Sequence, residues 1–125
     1  MKSKLPLPLL IIPLLATGCT LGENVIVSKD SSHFLMSYIN FHHEEINSMD
    51  LIKNDELYVS FANEKGNIDI KIGVSNQPYI YGGTGQVSGD FTVIIDSDGT
   101  YLLTVAGHNA TGSIIFTKNP NERAV

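Results

Sequence analysis

Alternation of apolar and polar residues with a two-residue period dominates the second half of this chain. The period is clearest in residues 57–61 and 68–74, which flank the turn-forming sequence Asn63-Glu64-Lys65-Gly66. Successive side chains of a β-strand point to opposite faces, so this period predicts strands with one buried face. We interpret the two segments as the arms of a hairpin.

Short apolar or aromatic runs recur through the rest of the chain. They predict strands at residues 78–81, 91–95, 101–105 and 114–116, with a flexible loop at 82–85 and turns at 96–99 and 107–112. Strands at nearly even spacing, separated by Gly and Asp turns, indicate an all-β fold. The prediction is a single antiparallel β-sandwich, jelly-roll-like in type.

Residues 33–51 allow two interpretations. Phe34, Tyr38 and His42 would lie on one face of a helix, whereas residues 38–41 and 46–51 would form two strands joined across residues 42–45. We favour the strands, because the downstream chain is β throughout and the edges of a sandwich need partners.

The N-terminus has the features of a secretory signal. Lys2 and Lys4 are followed by the uncharged residues 5–15 and then by small residues up to Cys19. A basic start, a short apolar run and a small-residue end are typical of a cleaved signal peptide. A membrane-spanning helix would need about 20 apolar residues, and this shorter run contains three prolines.

Leu15-Ala16-Thr17-Gly18-Cys19 resembles a bacterial lipobox. The resemblance implies cleavage between Gly18 and Cys19, lipidation of the Cys19 thiol and attachment to the extracytoplasmic face of the cell membrane. The alternative is an ordinary signal that is cleaved near residues 16–18 and leaves Cys19 unmodified. We therefore predict a lipoprotein signal peptide at 1–18, a lipidated N-terminus and tether at 19–32, and a sandwich domain at 33–125. Residues 25–27 are either part of that tether or a first strand.

Composition restricts the classes of site and partner. Cys19 is the single cysteine, which excludes a disulfide framework and a cysteine-based zinc site. After removal of residues 1–18, six basic residues face thirteen acidic ones, a net charge of −7. Nucleic acid is therefore not expected as a partner, because phosphate binding needs clustered Lys and Arg. Anionic membrane lipids would repel this negative charge. The expected contact with the membrane is therefore the lipid attached to Cys19.

No catalytic or metal centre is predicted. His42-His43-Glu44-Glu45 lacks the spacing of metal ligands and is interpreted as a solvated turn. Asp96-Ser97-Asp98-Gly99 is interpreted as a turn, because the downstream glutamate of a calcium loop is missing. The glycine-rich residues 82–85 are not followed by a helix that would bind phosphate. We expect no cofactor and no enzymatic activity.

Tyr79 and Tyr81 are the candidate ligand-binding residues. They stand beside the glycine-rich residues 82–85, with Phe91 nearby in sequence. Exposed tyrosines can stack on sugar rings, although tyrosines in strands also pack in cores. These residues predict a glycan site as an alternative function.

Residues 38–117 resemble the small β-sandwich modules of secreted bacterial proteins, which include pre-peptidase C-terminal and GOLD-like domains. The resemblance lies in residues 57–61, 66–72, 98–107 and 112–116. It implies that Asp98-Gly99-Thr100-Tyr101 forms the last hairpin, with the tyrosine packed under the turn. It also implies a non-catalytic interaction or accessory module that binds a protein partner. A glycan-binding sandwich that recognises the cell wall is the alternative.

Overall fold

The computed structural model describes residues 22–121, which form seven antiparallel strands. The strands are β1 (Asn24–Lys29), β2 (His33–Phe41), β3 (Glu44–Leu51), β4 (Glu56–Val74), β5 (Tyr81–Gln86), β6 (Ser88–Ile94) and β7 (Gly99–Lys118). The predicted signal peptide, with Gly18 and Cys19, lies outside the described residues. Within the described part of the chain, no helix is long and apolar enough to cross a membrane.

Two long strands, β4 and β7, organise the molecule. They pair along almost their whole length, from Leu57 opposite Lys118 to Val74 opposite Tyr101. The first half of β4 and the second half of β7 lie between β6 and β2, with β1 outside β2; we call these strands layer 1. The second half of β4 and the first half of β7 lie between β5 and β3; we call these strands layer 2.

The chain passes from one layer to the other at one end of the sandwich, which we call the corner end. The β4–β7 register shifts between Asn63 and Asn67, and Gly66 (φ 65°) and Asn109 (φ 53°) adopt left-handed backbone conformations there. A bulge with a left-handed residue bends a strand without reversing it. The predicted hairpin of residues 57–61 and 68–74 is therefore wrong. Both segments belong to β4, and the predicted turn at 107–112 is likewise a bend within β7.

The predicted alternation identifies the core correctly. Val59 and Phe116 from layer 1 and Ile70, Ile72 and Leu103 from layer 2 are completely buried in one cluster. The two inner faces thus pack against each other, which confirms the all-β class and the sandwich. Tyr101 is buried as well, and its hydroxyl donates to the Ser97 carbonyl oxygen at 2.7 Å. This contact confirms the tyrosine packed under the 96–99 turn.

The upstream segments are strands, so the helix alternative for residues 33–51 is wrong. β2 and β3 do not pair with each other; each pairs with a different half of β7. β1 pairs with β2 over its full length, and Val25 packs against the core. The predicted tether of residues 19–32 therefore does not hold for Asn24–Lys29. The strand alternative is correct, because Val25 gains a partly buried position by pairing.

Residues 82–85, which were predicted as a flexible loop, lie within strand β5. Gly82 and Gly83 pair with Lys71 and Ile70 of β4. The preceding residues 78–80 form a connection rather than the predicted strand, held by a hydrogen bond from the Ile80 amide to the Ile72 carbonyl oxygen at 2.8 Å. The glycine-rich composition of residues 82–85 therefore does not prevent strand pairing with β4.

Candidate functional site

Tyr79 lies on the outer face of layer 2 and is 61% exposed. Its ring covers Gly73, where a Cβ atom would come within 3.0 Å of the Tyr79 Cα. The Lys71 ammonium lies 5.4 Å from the ring centroid. Together with Ile46 and Thr104, these residues line a groove of about 530 Å³, which we call the layer-2 groove. It combines an aromatic surface with polar groups, as sugar sites do.

Tyr81 does not share that surface. It pairs with Ile72 and points between the two layers, where its ring stacks on Phe91 with centroids 4.1 Å apart. The structure therefore does not bring Tyr79 and Tyr81 together on one surface. Tyr79 lies in the connection before β5, so the two-residue period that would place it on the face of Tyr81 does not apply to it.

A second groove, of about 640 Å³, lies on the outer face of layer 1 at the corner end. Ser37, Ser113 and Ala62 occupy neighbouring positions on β2, β7 and β4 and form its floor. Because these three side chains are small, the longer residues around them enclose a depression. We call it the layer-1 groove.

Apolar side chains border the layer-1 groove. Ile26 on β1 and Ile39 on β2 are 65% and 52% exposed. Ile26 pairs with Ser37, so Leu35 and Ile39 are its diagonal neighbours on the same face. Leu35 is also exposed and lies opposite Ile115. An outer sheet face is normally polar, so this cluster of exposed apolar side chains is the most unusual surface feature of the domain.

A histidine–glutamate cluster lies at the corner end. The Glu23 carboxylate accepts a hydrogen bond from the His42 backbone amide at 2.8 Å, and its Oε2 atom is 2.6 Å from His43 Nδ1. The other ring nitrogen of His43 faces Glu45 at 3.4 Å. Only His42 and His43 connect β2 to β3; Glu44 and Glu45 begin β3 and pair with β7, so the predicted turn of residues 42–45 is wrong for this half. The prediction also did not include the contact with Glu23.

The contacts of this cluster move two pKa values in opposite directions. The His42 backbone hydrogen bond, followed by the interactions with His43, outweighs desolvation and lowers the pKa of Glu23. Desolvation acts to lower the pKa of His43, but the hydrogen bonds to Glu45 and Glu23 outweigh it and raise that pKa. The pair therefore favours its charged form.

A similar pair, Asp69 and His108, lies nearby on β4 and β7. Asp69 accepts hydrogen bonds from the Gly85 amide and faces His108 Nε2, both at 2.9 Å. Desolvation acts to raise the pKa of Asp69, but these hydrogen bonds outweigh it and lower the pKa. Within residues 22–121, no group of three His, Cys, Asp or Glu side chains is arranged to hold a metal ion.

Residues 95–98 connect β6 to β7, and Gly99 already belongs to β7. The hairpin implied for Asp98-Gly99-Thr100-Tyr101 is wrong, because β6 pairs with β4 in layer 1 whereas β7 begins in layer 2 between β3 and β4. The Asp98 carboxylate accepts a hydrogen bond from the Lys53 backbone amide at 2.8 Å. At least one of its oxygens thus has a structural role in holding two loops together. The predicted lipidation and cleavage residues, Cys19 and Gly18, lie outside the described residues, so the structure gives them no surroundings.

Sequence reasoning missed the layer-1 groove and the Glu23 contact. The groove is formed by residues from β1, β2, β4 and β7, and single small residues such as Ser37 carry no motif. One signal was present: Val25-Ile26-Val27 is an apolar run on both strand faces, which a strand with one exposed face does not need. Such a run indicates an extra exposed apolar surface.

Comparisons with known proteins give fold resemblances at low sequence identity. No family model matches the chain, and no curated protein matches it. One similar solved structure is the pre-peptidase C-terminal domain of a collagenase from Bacillus anthracis, with 17% identity, 70% of this chain and 88% of that chain covered, and a TM-score of 0.48. Another is PliG from Aeromonas hydrophila, a periplasmic inhibitor of g-type lysozyme, with 13% identity, coverage of 85% and 92%, and a TM-score of 0.49.

Proposed function

We propose that this chain is an extracytoplasmic, lipid-anchored, non-catalytic module that binds a protein partner at the layer-1 groove. The exposed apolar cluster of Ile26, Leu35 and Ile39 beside that groove is the observation that carries the proposal. Contiguous exposed apolar side chains with a polar surround are typical of protein interaction sites. The groove floor supplies hydroxyl groups at Ser37 and Ser113, which can hydrogen-bond to a bound chain.

The fold supports a short connection between the groove and the membrane. β1 begins at Asn24, which lines the groove at the corner end, and Glu23 is held there by His42 and His43. Only residues 20–23 separate this point from Cys19, and four residues reach at most about 14 Å. A lipid on Cys19 would therefore keep the bound partner near the membrane surface.

The anchor is tested by detergent phase partitioning of the full-length protein. Wild type should enter the detergent phase, because two or three acyl chains at about 0.8 kcal/mol per buried methylene bind membranes durably. Cys19→Ser should move to the aqueous phase, whereas Thr20→Ser, which keeps the cysteine, should not. Unchanged partitioning of Cys19→Ser would refute the lipid anchor.

The binding surface is tested by in-cell crosslinking and capture. Ser113→Arg fills the floor of the layer-1 groove with a long charged side chain and should abolish recovery of the partner. Thr92→Arg adds the same side chain to β6 on the same outer face, away from the groove, and should leave recovery unchanged. Equal recovery from both variants would exclude the groove as the binding site.

The layer-2 groove supports a second candidate function, glycan binding. The exposed ring of Tyr79 beside Lys71 and Thr104 is the observation that favours it. Tyr79→Ala should remove retention of the protein on purified cell-wall polysaccharide, while Ile80→Ala at the next exposed position should not. If wild type itself is not retained, this second candidate fails.

A further inference from the structure

Strand β1 has an unpaired edge with an apolar surface on both of its faces. It is the outermost strand of layer 1, and its only partner strand is β2 among the described residues. Val25 and Val27 pair with the buried Tyr38 and Met36 and so point inward, yet Val27 is 39% exposed. Layer 2 therefore does not fully cover the inner face of β1, and Ile26 is exposed on its outer face.

We propose that β1 is a self-association edge, which pairs antiparallel with β1 of a second copy of this chain. An open strand edge presents free backbone amides and carbonyls that another strand can satisfy. This pairing would join the five strands of layer 1 in one copy to the five strands of layer 1 in the second copy as one continuous sheet. This inference goes beyond the proposed function, because it needs neither the lipid nor the partner in the groove.

Strand geometry restricts the registers in which β1 can pair with itself. Inward and outward side chains keep their faces only if the paired residue numbers have the same parity. The register with Ile26 opposite the second copy's Ile26 meets this condition and places Val25 opposite Val27 twice. Isoleucine and valine pairs directly across strands are favourable in sheets.

Charge complementarity selects the same register. It places Glu23 opposite Lys29 of the second copy on both sides of the axis. The contacts of Glu23 with the His42 backbone amide and with the His43 ring both use one carboxylate oxygen, Oε2, so the other oxygen remains for the lysine. Between these two residues β1 has no charge that would oppose pairing.

The other edge strands are less suited to self-pairing. β3 contains Glu44, Glu45 and Asp50, which add like charges to a symmetric pair. β5 contains three glycines, and β6 contains Gly89 at φ 153° and Asp90. Charged residues and irregular backbone are the usual features by which strand edges avoid association, and β1 has them only at its ends.

The experiment is thiol crosslinking of the full-length protein in intact cells. Ile26→Cys places a thiol directly opposite its own copy in the proposed register, within reach of a short thiol-specific crosslinker. Ile94→Cys is the matched control, since this residue is similarly exposed on β6 at the opposite edge of layer 1. The wild-type chain controls for any reaction of Cys19.

The expected result is a homodimer band from Ile26→Cys that is several-fold stronger than that from Ile94→Cys at equal protein level. Adding Lys29→Glu to Ile26→Cys should weaken the band several-fold, because Glu23 would then face a like charge. Equal bands from both cysteine positions, no band, or a crosslink from Ile26→Cys only to a different protein would overturn the proposal. The capture test with Ser113→Arg is independent of this outcome, because Ser113 lies two strands from the edge.

Discussion

Gly112 lies where β7 turns from layer 2 into layer 1, and no side chain fits there. A Cβ atom at this position would collide with the Ala62 carbonyl oxygen and would lie 2.7 Å from the Asn63 Cα, both backbone atoms of β4. The collision can be relieved only by moving paired strands. Close backbone approach, and not turn formation, is therefore the reason for this glycine.

We expect Gly112→Ala to lower the free energy of unfolding by about 1–3 kcal/mol, the usual cost of overpacking. Gly82→Ala is the control, because no atom lies within 4 Å of the added Cβ, and it should be neutral or slightly stabilising. Urea denaturation of the two variants and wild type measures both effects. Equal urea midpoints for the two variants would mean that the backbone of Ala62 and Asn63 leaves room for a side chain at Gly112.

The Glu23–His43 contact predicts a dependence of stability on pH. The lowered pKa of Glu23 stabilises the fold above its unfolded value of 4.5, and the benefit disappears as the pH falls through the folded value. The raised pKa of His43 stabilises the fold below its unfolded value of 6.5, and the benefit disappears as the pH rises through the folded value. Both contributions are therefore present together between pH 4.5 and 6.5.

Glu23→Gln should consequently reduce the melting temperature most within that interval and less at alkaline pH, once the pH has risen through the folded pKa of His43. Glutamine can still accept the His42 amide hydrogen bond, so the substitution isolates the charge. Glu64→Gln at an exposed position is the charge-matched control. Its melting temperature should differ from that of wild type by a nearly constant amount over the same pH range. A Glu23→Gln effect that is constant from that interval to alkaline pH would contradict the ion pair.

At the level of elements, local pattern predicted strands well and their connections poorly. The alternation around Val59 and Ile70 identified the buried residues, because the period follows directly from strand geometry. The same pattern could not show that both belong to one bent strand. A turn-forming sequence such as residues 63–66 suits a hairpin and a bulge equally, and only pairing with β7 decides between them.

The inclusion of β1 in the domain makes a prediction at this scale. Val25→Ala should destabilise the domain by about 1 kcal/mol, because it removes methyl groups that pack on the core. Ile26→Ala, at the next and mostly exposed position, should change stability by less than about 0.5 kcal/mol. Equilibrium denaturation of both variants below the concentration of any association makes the comparison. If both substitutions were silent, Asn24–Lys29 would behave as a tether.

At the level of the whole molecule, the N-terminal sequence and the surface carry different parts of the functional account. The proposed signal and Cys19 form a contiguous motif, so sequence alone is enough to propose them. The layer-1 groove combines Ile26, Ser37 and Ser113 from three strands, and no local pattern links them. Tyr79 was found because aromatic residues are conspicuous in sequence, but its separation from Tyr81 depends on where β5 begins.

The proposed protein partner in the layer-1 groove is tested most directly by site-specific photocrosslinking in intact cells. A photoreactive side chain at Ser37 should capture one dominant protein. The same side chain at Thr92, which is exposed on the same outer face at the far edge, should not capture it. Identical products from both positions, or capture of wall glycan alone at Ser37, would contradict the account.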